Sequence, residues 1–312
     1  MIKKESSHKE LIDQLVKRHL QSLVVEISKF ETGLINDVYD VKLSDDRRIV
    51  ARLAQNQNAE YLKDGLYWQT HLEKLGVRLP KVIASGETSD VTYAILERLP
   101  GQDIEVVYPH LAKEAKQTIA QELTQVQEKV ALLDLSLFRE EAQPWITIIE
   151  RACSRSERDF GRLNLFPTGY VQVIREAFAK IEPELNRLPL IPFLYDTNLK
   201  NVIIHNGHIS GIIDVDEMWL GDPLLAVGRG KTLSLLREWD LDLYDYWVDC
   251  LNLSVEEKFR TELYATLYCI RTMSILGRAY NGNVQIENDI SNAKKIEAIT
   301  RKQMASLGLK LV

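Results

Sequence analysis

The chain has 312 residues, of which 45% are hydrophobic and 27% charged, with a formal net charge of -6. That length suits two domains or one bilobal unit, and the composition is that of a globular protein rather than a disordered or fibrous one. The acidic balance argues against nucleic acid as the main partner, and no uninterrupted apolar run is long enough to span a membrane.

In chain order, Met1 to His8 lacks the apolar core of a signal peptide. Residues 8–22 carry Leu11, Ile12, Leu15, Val16 and Leu20 at helical spacing, which predicts an amphipathic helix. Three strands follow, at 23–30, 38–43 and 48–53, the last two joined at Ser44-Asp45-Asp46. A helix over 60–75 ends at Gly76, and further strands are expected at 81–85 and 92–97. Pro100-Gly101 breaks this region from the rest. Beyond it, helices are expected at 108–130, 145–159, 169–185 and 223–236. Ser254-Val255-Glu256-Glu257 is a capping box opening a helix to about Leu276, and a last helix covers 289–307. Cys153, Cys250 and Cys269 are scattered without a C-x-x-C, which points to reduced thiols and a cytoplasmic address.

The chemistry concentrates near residue 200. Asp196 and Asn201 stand five apart, and Asp214 follows a predicted hairpin. Phosphoryl transfer needs a carboxylate beside the attacking hydroxyl and oxygen ligands for Mg2+ on the phosphates, and a D-x-x-x-x-N loop supplies one of each. Residues 202–205 and 208–213 read as strands around Asn206-Gly207, a type I′ turn signal. A two-residue loop pairs His205 with His208 and sets Asn201 opposite Ile212. Alternation then puts Asp214 on the face of Asn201, a diagonal pair roughly 7–8 Å apart. The plainer alternative is a polar strand–turn–strand unit with surface acids.

A small sheet unit, a short connector and a helical unit holding the acids is a protein-kinase-like arrangement, and the sequence resembles the aminoglycoside phosphotransferase, or phosphotransferase enzyme, family. The resemblance spans about Phe30 to Leu276. It is most specific at Leu194-Tyr195-Asp196, Asn201-Val202, Gly211-Ile212-Ile213-Asp214 and Gly221-Asp222-Pro223, and weaker at 32–39, 51–53 and 96–101.

The resemblance implies an α+β, bilobal, protein-kinase-like fold. A small antiparallel sheet lobe with a helix (1–98) would bind nucleotide. A larger helical lobe (99–312) with a catalytic β-hairpin would hold the acceptor. It implies a kinase that moves the γ-phosphoryl of ATP or GTP to a small-molecule hydroxyl with Mg2+. Asp196 would be the catalytic base, with Asn201 and Asp214 as metal ligands. Arg52 would stand on the phosphates, where a guanidinium fork can serve. Gly33 and Asn36 would lie in the loop covering the phosphates, and Glu97 to Leu99 would line the adenine through backbone groups. Asp222 and Lys200 would support the catalytic loop. The family's usual His-Gly before the catalytic Asp is Leu194-Tyr195 here. The helix acid expected to pair with Arg52 falls at or near Gly65, with Asp64 beside it and Glu60 one turn earlier. Those departures motivate an alternative, a nucleotide-binding pseudokinase that senses or binds a partner.

Other features read more plainly. Gly230-Lys231-Thr232 lacks the upstream glycine and strand of a P-loop, so it reads as helix surface. His205 and His208 flank a tight turn and read as solvated. The acidic, aromatic stretch 238–249 offers Trp239, Asp242 and Asp245, with Trp247, to a cationic acceptor. The same pattern fits an amphipathic helix with a solvated acidic face, which is the preferred reading. The sequence carries no D-F-G or A-P-E of a protein kinase.

Overall fold

The computed structural model describes all residues except 1, 31–35, 56–57, 139–142, 198–199, 281–282, 285–288 and 312. Gly33 therefore lies outside the described residues.

The chain opens with helix α1 (Ile2–Leu20) and strands β1 (Val24–Lys29), β2 (Asp37–Leu43) and β3 (Arg48–Gln55). Helix α2 (Ala59–Lys74), β4 (Val82–Glu87) and β5 (Val91–Glu97) follow. All five strands form one antiparallel sheet in the order β1-β2-β3-β5-β4. Strict alternation builds its inner face, because β2 turns Tyr39, Val41 and Leu43 one way. Ile12, Leu15 and Val16 of α1 pack on that face, while Leu62 of α2 meets Ala54, Ala94 and Leu96 on the other. The predicted period-2 and period-3.6 segments are all present here, with ends shifted by a few residues.

The connector is hydrogen-bonded rather than free. Immediately after Gly101, β6 (Gln102–Asp103) pairs with β8 (Val202–His205) of the hairpin. Gly101 has φ +103°, and a Cβ there would lie 2.0 Å from the Ile204 carbonyl oxygen, so only glycine fits. The helical lobe comprises α3 (Ile104–Val107), α4 (Lys113–Val130), α5 (Trp145–Leu163), α6 (Gly169–Lys180) and α7 (Glu182–Leu185). Then come β7 (Ile191–Leu194), β8, β9 (His208–Ile212), β10 (Met218–Gly221) and α8 (Leu224–Leu236). The chain closes with α9 (Asp242–Leu251), α10 (Val255–Ser274), the short pair β11 (Ala279–Tyr280) and β12 (Asn283–Val284), and α11 (Ala293–Ser306). The predicted helix over 108–130 starts later, at Lys113, after a 3-10 turn at Tyr108–His110. The capping box of Ser254 and Glu257 forms as its sequence dictates.

The large core also takes in Trp68, Leu72 and Val77, so the far end of α2 is anchored in the helical lobe. Gly230-Lys231-Thr232 lies within α8, as its sequence implies, but against α10 rather than at the surface. Thr232 Oγ1 donates to the Ala265 carbonyl at 2.8 Å, and Lys231 pairs with Glu262 at 2.6 Å. No described helix is long and apolar enough to cross a membrane.

Candidate active site

The hairpin that carries the site has the predicted turn and a different register. Asn206 and Gly207 take φ of 50° and 78°, and His205 pairs with His208. Between Ile203 and Ile204 the register shifts, so Ile203 faces Gly211 and Val202 faces Ile212. Ser210 is the extra residue of a β-bulge. The expectation that Asn201 lies opposite Ile212 is thereby corrected: the Ile213 N–H donates to the Asn201 carbonyl at 2.8 Å. Simple alternation no longer relates Asn201 to Asp214, and Asp214 itself sits at φ +65°, two residues past the end of β9. The hairpin is held from outside. Arg78 accepts from Ile212 N–H and donates to the Ile209 carbonyl, while Glu122 of α4 accepts from Ile209 N–H and lies 3.0 Å from His208. Both turn histidines are exposed, although His208 meets Glu122.

Asp196 and Asn201 are joined directly. The Asn201 side-chain amide donates to the Asp196 carbonyl at 3.2 Å, which leaves its Oδ1 as an acceptor. The Asp196 carboxylate pairs with Arg229 of α8 at 3.0 Å. Arg229 is held on three sides. Its guanidinium lies 4.6 Å from the Tyr195 ring centroid and 5.3 Å from that of Tyr268, and its Nε donates to the Tyr268 hydroxyl. Glu217 lies 3.8 Å from the same guanidinium. Partial burial, opposed by Arg229 and reinforced by Asp196, pushes the Glu217 carboxyl up to about 7.

Arg52 reaches across from the sheet lobe. Its Nη2 donates to Asp214 Oδ1 at 2.7 Å, joining residues 162 apart in sequence. No acid of α2 is needed for this pair. Gly65 stands beside Asp216, with room for a Cβ 3.7 Å from the Asp216 Cβ, and Glu60 is paired with Lys63. Burial and the neighbouring Asp214 push the Asp216 carboxyl up to about 7. Two buried polar atoms in this region find no hydrogen-bond partner among the described residues: Arg52 Nε and Asn36 Oδ1. Leu99 is buried against Gly211, where a Cβ would lie 2.7 Å from its methyl carbon. Glu97 is exposed, and its N–H donates to the Lys81 carbonyl.

The Leu194-Tyr195 departure has its own bracing. Leu194 is fully buried in β7, which pairs with β10, and the Gln127 side chain of α4 holds both its backbone groups. Tyr195 stacks on Trp219 with centroids 4.6 Å apart, and burial raises its phenol above the usual range. Lys200 lies 3.8 Å from Glu105 of α3, which also holds Arg237. Asp222 bonds, among the described residues, to the Leu224 N–H, Arg260 and Tyr264, tying β10 to α8 and α10.

The acidic, aromatic stretch forms α9 and the loop before it. Trp247 is buried, 4% exposed, which removes it from any acceptor surface. Trp239 stacks on Tyr108 at 4.3 Å and 9°. Buried Lys116 pairs with Asp240 at 2.7 Å and lies 3.5 Å from Asp242, so the chain meets part of this charge itself. Asp245 is exposed on the first turn of α9.

Four acids (Asp196, Asp214, Asp216 and Glu217) thus act on one another, with Arg52 and Arg229 as their cations. Arg229, Gln127, Asp216 and Glu217 were not singled out by sequence reasoning. Asp216 and Glu217 lay within three residues of Asp214 and were legible as a run of acids; an arginine within a helix and a glutamine on another carry no such signal.

The profile of the phosphotransferase enzyme family matches residues 26–243, more than half of the chain. No curated protein matches the sequence. Among solved structures, a thermostable mutant of aminoglycoside phosphotransferase APH(4)-Ia superposes with a TM-score of 0.66 at 15% identity, over 95% of this chain and 97% of that one. The streptomycin–ATP complex of APH(2")-IIa gives 0.64 at 13% identity, over 96% and 98%. A putative fructosamine-3-kinase from Haemophilus somnus 129PT gives 0.61 at 13%, over 93% and 96%. With the sheet lobe, the connector and the acid-bearing hairpin in place, the chain belongs to the phosphotransferase enzyme family, a phosphotransferase by family and protein-kinase-like by fold.

Proposed function

We propose that the protein transfers the γ-phosphoryl group of ATP or GTP to a hydroxyl of a small molecule, with the nucleotide between residues 1–98 and the helical lobe. The observation that carries this reading is the meeting of Asp214 and Asp216 with Arg52 across the connector, beside Asp196 held by Arg229. Four carboxylates and two guanidiniums leave a net charge near -2 when all are ionised, a setting that favours a divalent cation. Among the described residues no three His, Cys, Asp or Glu side chains chelate a metal by themselves. That suits Mg2+, which takes one or two protein oxygens and completes its shell with phosphates and water. Asp214 and Asn201 Oδ1 fit as those donors. Bound there, Mg2+ would neutralise charge on the phosphates during transfer.

The remaining work falls to the chain's own side chains. Asp196 accepts a hydrogen bond from the acceptor hydroxyl, orients it and takes its proton. Arg229 fixes the rotamer of Asp196. Arg52, with an unpartnered Nε, offers a fork to phosphate oxygens. Asn36 and the backbone of Glu97 to Leu99 line the nucleotide side. The streptomycin–ATP complex among the similar structures supports a nucleoside triphosphate donor and a small-molecule acceptor.

A pool of metabolites incubated with ATP or GTP and read by mass spectrometry tests the reading. The parent should add 80 Da (about one phosphoryl group) to at least one hydroxyl compound. Asp196→Ala should abolish that product while retaining Mg-nucleotide binding. A parent that binds Mg-ATP yet phosphorylates nothing would favour the pseudokinase alternative.

A further inference from the structure

We propose that three arginines around Asp159 form an anion-binding site, and that the group it holds is a phosphate or carboxylate of the acceptor. The proposal rests on the phosphotransfer reading above and names the acceptor class: a hydroxy compound that also carries an acidic group.

Asp159, near the end of α5, is buried and takes two arginines on separate oxygens. Arg271 Nη1 donates to its Oδ2 at 2.6 Å, and Arg278 Nη2 donates to its Oδ1 at 2.9 Å. Arg162, in the last turn of α5, lies 3.7 Å from the same Oδ1. Among the described residues no other acid pairs with any of the three. One carboxylate thus faces three guanidiniums, in a chain whose net charge is -6. Arg162 and Arg271 each stand in the last turn of a helix, whose C-terminus carries about half a negative charge; the two helix ends together still leave a positive surplus. Neighbouring like charges repel, and an anion among them relieves the repulsion.

The donors for such an anion are present. A guanidinium carries N–H groups on every nitrogen. Arg271 gives its Nη1 to Asp159 and Ser274, and Arg278 gives its Nη2 to Asp159. Among the described residues their other nitrogens have no hydrogen-bond partner, and the two side chains are partly exposed, at 27% and 41%. Planar forks of this kind match the paired oxygens of phosphate and carboxylate. The cluster also adjoins the catalytic acid. Tyr268, one turn before Arg271 on α10, accepts a hydrogen bond from Arg229 Nε, and Arg229 holds Asp196. An acceptor with its hydroxyl at Asp196 can therefore place an acidic group at the end of α10. The acids offered to a cationic acceptor are partly spent, because Lys116 pairs with Asp240 and lies 3.5 Å from Asp242.

Isothermal titration calorimetry with inorganic phosphate tests the site on the parent, Arg271→Gln, Arg278→Gln, Arg278→Lys and Arg151→Gln. Saturating Mg-ADP fills the nucleotide side, so that phosphate reports on the remaining anion sites. Arg151→Gln removes an equal charge from an exposed position on α5, about two turns before Asp159. Circular dichroism melts confirm folding, and Arg278→Gln, at the more exposed position, carries the test if Arg271→Gln fails to fold. Phosphate affinity should fall about tenfold in Arg271→Gln and Arg278→Gln, less in Arg278→Lys, and not in Arg151→Gln. The acceptor found in the metabolite screen should carry a phosphate or carboxylate, and Arg278→Gln should raise its KM about tenfold with kcat within about twofold. Equal phosphate binding in all variants, or none in the parent, overturns the site. A neutral or cationic acceptor whose KM ignores Arg271→Gln and Arg278→Gln overturns the acceptor assignment and leaves the kinase reading standing. Phosphate binding that depends on Arg278, in a parent that phosphorylates nothing, overturns the kinase reading and the acceptor role with it, while the anion site itself stands.

Discussion

Gln127 clamps Leu194 by both of its backbone groups. Its Nε2 donates to the Leu194 carbonyl at 2.9 Å, and its Oε1 accepts from the Leu194 N–H at 3.1 Å. Both residues are buried, and Leu194 lies two positions before Asp196. The side-chain amide completes the outer edge of β7, whose other edge pairs with β10. Gln127→Leu would leave a buried donor and a buried acceptor unpaired, at about 1–3 kcal/mol each. The expected result is a lower urea midpoint for unfolding; an unchanged midpoint would show that water or a backbone shift supplies the bonds.

Asp222 and Arg260 form a buried pair, each side chain 5% exposed, with the Tyr264 hydroxyl as a further donor to Asp222. Asp222→Leu leaves Arg260 with Glu184 alone, a more exposed acid, and should destabilise the helical lobe by at most about 3–5 kcal/mol. The double variant Asp222→Leu/Arg260→Met should lose less than the sum of the singles, since neither member of the buried pair is left without the other. Additive losses in chemical denaturation would count against the coupling.

Arg229 is the cation that Asp196 and Glu217 share. Arg229→Met should lower turnover by about 10²-fold, because the carboxylate that orients the acceptor loses its fixed rotamer. Mg-nucleotide affinity should change little, and Arg229→Lys should recover part of the rate. Steady-state kinetics with the acceptor found in the metabolite screen, beside nucleotide titration, separate the two effects. Full turnover in Arg229→Met would show that Asp196 needs no such partner.

The three cysteines should differ in reactivity with pH. Burial pushes the Cys153 and Cys269 thiols up to about 12, so almost no thiolate forms on either below pH 9. Cys250 is exposed, and its thiol is raised to a lesser extent by partial burial and Asp249. Iodoacetamide on the native protein should therefore label Cys250 alone, faster as pH rises from 7 to 9. Peptide mapping reads the sites; labelling of Cys153 or Cys269 without denaturant would contradict the packing around them.

The hairpin shows where sequence reasoning held and where it failed. Asn206-Gly207 encodes its turn locally, because positive φ at two successive positions is a property of those two residues. The bulge at Ser210 depends on what lies outside the hairpin. Gly211 is squeezed by Leu99 and by the Arg78 carbonyl, and Arg78 accepts a hydrogen bond from Ile212 of β9 and donates one to the Ile209 carbonyl. A glycine inside a strand was the available signal for that irregularity. The β7–β10 pair was missed for a related reason: Ile191-Pro192-Phe193-Leu194 is short, and its proline masks a strand that survives by pairing on one edge.

Taken alone, the amino-acid order settled the things that neighbours along the chain decide. These are the periods of helices and strands, the tight turn, the helix cap at Ser254, and the presence of an Asp196, Asn201 and Asp214 set suited to phosphate chemistry. The folded structure decided which cation meets which acid, Arg52 with Asp214 and Arg229 with Asp196, and how β9, the strand leading to Asp214, is registered. Those pairings join residues far apart in the chain. A charged side chain chooses its partner by distance and desolvation in the packed molecule, and neither quantity has a period that the sequence displays.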